Sequence, residues 1–138
     1  MKIKSLMSTN VVTVKLDDPI SKVKEIFEAL GFHHLLVVED KKLFGIISDR
    51  DLLKAISPKV DTAAATTQDL ATLNKRAHQI MTSKPLCLKE ESSVREAINL
   101  FNENKISCIP VVNENNNPVG IVSWRDIMRV LSNKAGEN

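Results

Sequence analysis

Gly45-Ile46-Ile47-Ser48-Asp49-Arg50-Asp51-Leu52 decides how this chain is read, because it returns as Gly120-Ile121-Val122-Ser123-Trp124-Arg125-Asp126-Ile127. Each copy begins as a short apolar strand and ends in Ser. Each then turns into a helix that carries Asp three residues after the Ser. Ser-x-x-Asp is a variant of the helix-capping box, in which hydroxyl and carboxylate satisfy backbone N–H groups at the helix start. The same groups suit an anion or a sugar. Free N–H groups and a positive dipole end favour negative charge. Ser adds a hydroxyl, Arg a fixed cation, and Asp an acceptor for hydroxyl protons.

The repeat extends well beyond these segments. Leu6-Met7-Ser8-Thr9 aligns with Ile80-Met81-Thr82-Ser83, Phe27 with Phe101, and Val37-Val38 with Val111-Val112. After a one-residue gap Gly45 aligns with Gly120. Two copies of this length point to a pair of units that complete each other, not to a solenoid.

Each copy predicts strand, helix, strand, strand, helix. Val11-Val12-Thr13-Val14 and Leu86-Cys87-Leu88 are short extended segments. Asp18 is a candidate cap and Pro19 a candidate first helical residue. Ile20, Val23, Ile26, Phe27 and Leu30 follow at helical spacing, and Gly31 is a natural stop. Ser93 with Glu96 reads as a capping box in the second copy, ahead of Val94, Ala97, Ile98 and Phe101. Leu35 to Val38 and Ile109 to Val112 are continuous apolar runs, as in strands covered on both faces. Turns are expected at 39–42 and in the Asn-rich 113–118. The boundaries are 1–58 for the first repeat, 59–79 for a linker, 80–133 for the second repeat and 134–138 for a fraying tail. Within the linker, Leu70, Leu73, Ala77 and Ile80 predict one amphipathic helix.

Composition excludes several classes. The 138 residues are 43% apolar and 26% charged, with 19 basic and 17 acidic side chains for a net charge of +2. That balance does not point to nucleic acid or to an acidic membrane. No apolar run reaches the roughly 18–20 residues of a membrane span, and the start lacks a signal-peptide apolar region. Cys87 and Cys108 form no CxxC pair and read as inert core residues of a reducing, cytoplasmic compartment. His33-His34 does not point to a metal site, since neighbours on a strand face opposite ways. A contact between one of the pair and a ligand fits better. No GxSxG, HExxH, Walker or Cys–His–Asp pattern is present, so nothing points to an enzyme.

With both segments, the Met-containing openings and Ile109-Pro110-Val111-Val112 in hand, the chain resembles a tandem pair of cystathionine beta-synthase (CBS) domains, a Bateman module. The resemblance spans roughly Ile3 to Leu131. The linker around 67–74 looks like that of small stand-alone bacterial members, some named acetoin-utilisation-like. The resemblance implies an α/β fold of two βαββα repeats packed with pseudo-twofold symmetry. It implies a regulatory module that binds AMP, ADP, ATP or S-adenosylmethionine in clefts between the repeats and signals occupancy to a partner. No cofactor is required. Asp51 and Asp126 are expected at ribose hydroxyls, and Ser48 and Ser123 near phosphate. The base is expected near Val11, Val12, Thr13, His34, Leu36, Pro85, Leu86, Cys108 and Pro110.

From the residues themselves, Arg50 and Arg125 could reach phosphate, or could be solvent-exposed first-turn arginines. The copies also differ. Asp49 adds an acid beside the first phosphate candidate, where Trp124 stands in the second, so the Ser123/Arg125/Asp126 segment is the better phosphate contact. Trp124 reads as a subunit-interface residue before a base-stacking one. Leu52, Leu53, Ile56, Ile127, Met128 and Leu131 leave apolar faces that a homodimer would cover. The competing function is a purely structural dimerisation or interaction module without ligand.

Overall fold

Alternating apolar runs and capped amphipathic stretches resolve into two compact units in the computed structural model, which describes residues 1–136, and side chains to 133. One unit is Val12–Lys84; the other joins Met1–Val11 to Pro85–Asn138. The architecture is mixed α/β.

In the continuous unit, β1 (Thr13–Val14) runs parallel to β2 (His34–Glu39). β2 pairs antiparallel with β3 (Lys42–Ser48), and β3 with the short β4 (Thr82–Ser83). The helix α1 (Ile20–Leu30) separates β1 from β2, and α2 (Asp49–Ala55) follows β3. α3 (Thr67–Ala71) and α4 (Ala77–Ile80) lie in the linker. The second unit repeats the plan. Leu88 bridges parallel to Val111 of β5 (Cys108–Val112), β5 pairs antiparallel with β6 (Pro118–Ser123), and Ser8 bridges antiparallel to Ile121. α5 (Val94–Glu103) and α6 (Trp124–Gly136) take the places of α1 and α2.

The cores show the duplication residue by residue. Val14, Val23, Leu35, Val37, Ile47, Leu52 and Ala77 are buried together in one unit. Leu88, Ala97, Ile109, Val111, Val122, Ile127 and Ile3 hold the matching places in the other. The last pair is informative. Ala77, just before the second repeat's Met81, packs with the first repeat's strands, while Ile3, from the chain's opening, packs with the second's. Sequence repeat and packing unit are therefore different partitions of the chain.

The glycines of the opening motif explain this crossing. A Cβ on Gly120 would stand 2.6 Å from Met7 Sδ and 3.0 Å from the Ser8 carbonyl oxygen. On Gly45 it would run into Met81 Sδ and stand 2.9 Å from the Thr82 carbonyl oxygen. Each Met-containing opening thus lies directly across a strand whose side chain is missing to admit it.

Both hairpins carry a bulge at the same place, between Val37 and Val38 and between Val111 and Val112. The one-residue gap in the alignment lies in the turns. Val38 pairs with Leu43, but Val112 pairs with Pro118. Asp40 and Lys41 both have positive φ in the tighter turn, and Asn116 does so in the longer one.

Several local expectations shift. Gly31 caps α1 in the left-handed conformation as expected, with φ 67°. Pro19, not Asp18, is the N-cap residue, because Pro19 is held extended in a bridge to Arg76. Asp18 instead accepts the Lys15 N–H at 2.8 Å. Ser93 accepts the Glu96 N–H at 3.1 Å, giving the serine half of the capping box. The single linker helix is broken. Ile20 N–H donates to the Lys75 carbonyl, Ala77 N–H to that of Asp18 and His78 N–H to that of Leu16, so Lys75–Arg76 is drawn out of helical geometry. The tail expected to fray from 134 continues α6 to Gly136; its last two residues lie outside the described ones.

Candidate functional site: two matched strand-to-helix turns

Ser48 ends β3 and Ser123 ends β6, and both close the same two hydrogen bonds. Ser48 N–H donates to Asp51 Oδ2 at 2.8 Å, and Asp51 N–H donates to Ser48 Oγ at 3.1 Å. In the second unit, Ser123 N–H donates to Asp126 Oδ2 at 2.8 Å, and Asp126 N–H donates to Ser123 Oγ at 3.1 Å. The box fixes each carboxylate through Oδ2 and leaves Oδ1 outside the cap hydrogen bonds. Asp126 Oδ1 lies 3.5 Å from Arg129 Nη1, a long contact on an exposed helix face. Arg50 and Arg125 are exposed.

Strand register brings other expected residues beside these turns. His34 is directly opposite Ser48, and Cys108 is directly opposite Ser123. Thr13 is opposite Leu36, whose N–H donates to the Val12 carbonyl at 3.0 Å. Val12, Thr13, His34, Leu36, Ser48, Arg50 and Asp51 thus belong to one unit. Val11, Pro85, Leu86, Cys108, Pro110, Ser123, Arg125 and Asp126 belong to the other. Pro110 and Leu36 are buried, whereas Leu86 is exposed.

The electrostatics of the copies differ. Burial holds His34 below the ordinary imidazole range, against the pull of Asp49. Burial, reinforced by Asp126, pushes the Cys108 thiol up to about 12, and burial also raises Cys87. Neither thiol is a nucleophile at neutral pH. Among the described residues no group of three or more His, Cys, Asp or Glu side chains could hold a metal ion. No helix there is long and apolar enough to cross a membrane.

One pair escaped the sequence reading. His33 Nδ1 stands 2.9 Å from Asp49 Oδ2, and the hydrogen bond from His33, then burial working against it, leave Asp49 below the usual carboxylate range. Asp49 N–H also donates to the His33 carbonyl at 2.9 Å. The signal was the hairpin itself: if His34 faces Ser48, the flanking residues 33 and 49 meet as well. In the second copy the same backbone bond runs from Trp124 N–H to the Ser107 carbonyl at 3.3 Å, with no charged pair beside it.

Comparison with known proteins agrees with this duplicated geometry. The CBS domain family model matches residues 3–58 and 77–133. A CBS domain-containing protein of Dictyostelium discoideum is 30% identical over 131 residues, covering 94% of this chain and 90% of its own length. Inosine-5'-monophosphate dehydrogenase of Methanocaldococcus jannaschii is 31% identical over 121 residues, covering 87% of this chain but only 21% of the enzyme. The chain spans 21–27% of the length of the first curated relatives it matches. Among solved structures, the CBS domain pair of protein MJ0100, in complex with 5'-methylthioadenosine and S-adenosyl-L-methionine, is 27% identical with a TM-score of 0.79. It covers 97% of this chain and 98% of that one. With two matched copies across most of its length, the chain belongs to the CBS domain family as a tandem pair.

Proposed function

We propose that this chain is a regulatory module that binds an adenosyl ligand, in the class of AMP, ADP, ATP and S-adenosylmethionine, and reports its occupancy to a partner. The observation that carries the reading is the paired Ser-x-x-Asp turn, whose hydrogen bonds agree in both copies. A carboxylate fixed by one oxygen is a preorganised acceptor for vicinal ribose hydroxyls, because little freedom is lost when they bind. Ser48 and Ser123, with Arg50 and Arg125, are assigned to the group on the ribose 5' carbon. His34, Cys108 and the neighbouring strand backbone are assigned to the base side. The 27% identical pair solved with two adenosyl compounds supports the ligand class. Signalling works by differential affinity: a ligand that binds one conformation more tightly shifts the population toward it. The family is regulatory rather than catalytic.

The test is calorimetric titration with S-adenosylmethionine, AMP, ADP and ATP. Asp126→Asn keeps an oxygen for the Ser123 N–H and replaces the other with a donor. It should weaken binding at that copy roughly tenfold or more while thermal stability stays close to native. Unchanged affinity would remove Asp126 from the site, and no binding by any of the four would remove the function.

Apolar side chains on the second helices favour self-association as part of the same proposal. Trp124, Met128 and Leu131 recur on one face of α6 and are 49%, 53% and 50% exposed, and Leu53 on α2 is 70% exposed. A face of this kind is covered by another copy in a homodimer.

A further inference from the structure

The chain has four methionines, and two of them take the same place in the two copies. Met7 Sδ lies over Gly120 and Met81 Sδ over Gly45, each where a side chain is missing from the strand. Met7 packs against the core that includes Val122 of β6, and Met81 against the core that includes Ile47 of β3. Both are half-buried, whereas Met1 and Met128 are 59% and 53% exposed and fill neither slot. Each thioether also sits beside the backbone bonds that hold its opening. Ser8 N–H donates to the Ile121 carbonyl and Ile121 N–H to the Ser8 carbonyl, both at 2.9 Å. Lys84 N–H donates to the Phe44 carbonyl at 3.2 Å, next to the Gly45↔Ser83 pair. In both copies the glycine stands three residues before the Ser of the Ser-x-x-Asp turn.

An unbranched, apolar thioether suits such a slot. A sulfoxide does not. The glycine backbone closes one side of the sulfur, so an added oxygen has to enter the apolar packing or draw the side chain out of it. A polar oxygen among apolar neighbours is unfavourable there. We propose that Met7 and Met81 are a matched pair of oxidation sites, at which conversion of thioether to sulfoxide by a peroxide unseats each Met-containing opening from the strand it covers, β6 for Met7 and β3 for Met81. The step balances as an oxygen transfer. The sulfur lone pair attacks one peroxide oxygen, the O–O bond breaks, and with hydrogen peroxide the second oxygen takes the proton of the first and leaves as water. Sulfur loses two electrons and the peroxide gains them. The cysteines are poorer targets, because peroxide reacts with thiolate, and burial pushes the Cys108 thiol up to about 12 and raises that of Cys87. The inference stands apart from the adenosyl reading and survives if that reading fails.

The experiment treats the full chain carrying Met128→Leu with hydrogen peroxide, the substitution removing the exposed thioether of α6. Sulfoxides are located by peptide mass spectrometry and amide hydrogen exchange is followed residue by residue. Met1 should convert first, without effect on the amides named above. Conversion of Met7 should then speed exchange at Ser8 and Ile121 by about tenfold or more, and conversion of Met81 should do the same at Lys84. A chain with norleucine at the remaining methionines keeps the side-chain shape without the sulfur, and its exchange should not respond to peroxide. Thioethers that persist at 7 and 81 under about ten times the dose that converts Met1 would overturn the proposal. So would unchanged exchange in the converted chain, or equal acceleration in the norleucine chain.

Discussion

Gly45→Ala isolates the packing that fastens the second Met-containing opening to β3. Gly45 has no left-handed backbone requirement, as among the described residues positive φ in a glycine is confined to Gly31. On unfolded-state entropy alone, Ala should therefore stabilise the protein by about 0.4–1 kcal/mol. The structure predicts the opposite sign. The added Cβ meets Met81 Sδ, stands 2.8 Å from Met81 Cγ and stands 2.9 Å from the Thr82 carbonyl oxygen. Methionine can swing aside, but the carbonyl belongs to β4, which β3 holds through Gly45↔Ser83 and Ile46↔Thr82. Overpacking against backbone costs about 1–3 kcal/mol. Less the entropic gain, the net loss is about 0–2.6 kcal/mol, and each kcal/mol lowers Tm by about 3–5 °C in a chain of this size. Urea unfolding followed by far-UV circular dichroism measures it. Adding Met81→Ala should recover only part of the loss, since the carbonyl contact survives. Gly120→Ala with Met7→Ala should recover more, because its Cβ stands at 3.0 Å from the Ser8 carbonyl. A stabilised Gly45→Ala protein would refute the reasoning.

Two further outcomes follow from the surface and the linker. Asp69 accepts hydrogen bonds from Thr66 N–H at 2.9 Å and from Ser57 Oγ–H at 2.8 Å, and these two, in that order, hold it below the usual carboxylate range. A depressed carboxylate stabilises the fold above the ordinary value of about 3.9 and loses that contribution as pH falls through its lower folded value. The stability deficit of Asp69→Asn should therefore be constant from pH 7 to about pH 5 and shrink as pH falls below the ordinary carboxylate value of about 3.9. A deficit unchanged between pH 7 and pH 2.5 in thermal melts would contradict this. Met128→Glu, on the exposed face of α6, should leave stability within about 0.5 kcal/mol of native while lowering the sedimentation coefficient if that face joins two copies. An unchanged coefficient from a self-associated protein would place the interface elsewhere.

The repeat was legible because core positions recur at a fixed spacing: Val23 with Ala97, Leu35 with Ile109 and Val37 with Val111. Hydrophobic patterning reports burial directly, so the hairpin strands and the two principal helices of each copy followed from it, whereas Leu86–Leu88, read as a strand, makes only a bridge at Leu88. The Ser-x-x-Asp turns followed too, since capping chemistry is local. The broken linker helix did not. Its apolar spacing was helical, but backbone bonds from Ile20, Ala77 and His78 to Lys75, Asp18 and Leu16 override that preference, and such bonds leave no trace in side-chain identity. The partner strands of the Met-containing openings were equally hidden. A motif that matches its own repeat gives no indication that Met7 will rest on Gly120. The His33–Asp49 pair required knowing the hairpin register, a long-range fact.

The crossed openings have a consequence for the order in which the protein is built. Residues 12–84 are contiguous, so that unit has all its strands once its own stretch of chain has emerged from the ribosome. The other unit needs Ile3 in its core and Ser8 beside β6, across a loop of roughly a hundred residues whose closure costs entropy that grows only logarithmically with length. That loop is shortened once the intervening unit has folded and drawn its ends together. The first-formed unit would then act as a clasp for the second, and damage to 12–84 should slow the maturation of a core to which it contributes no side chain.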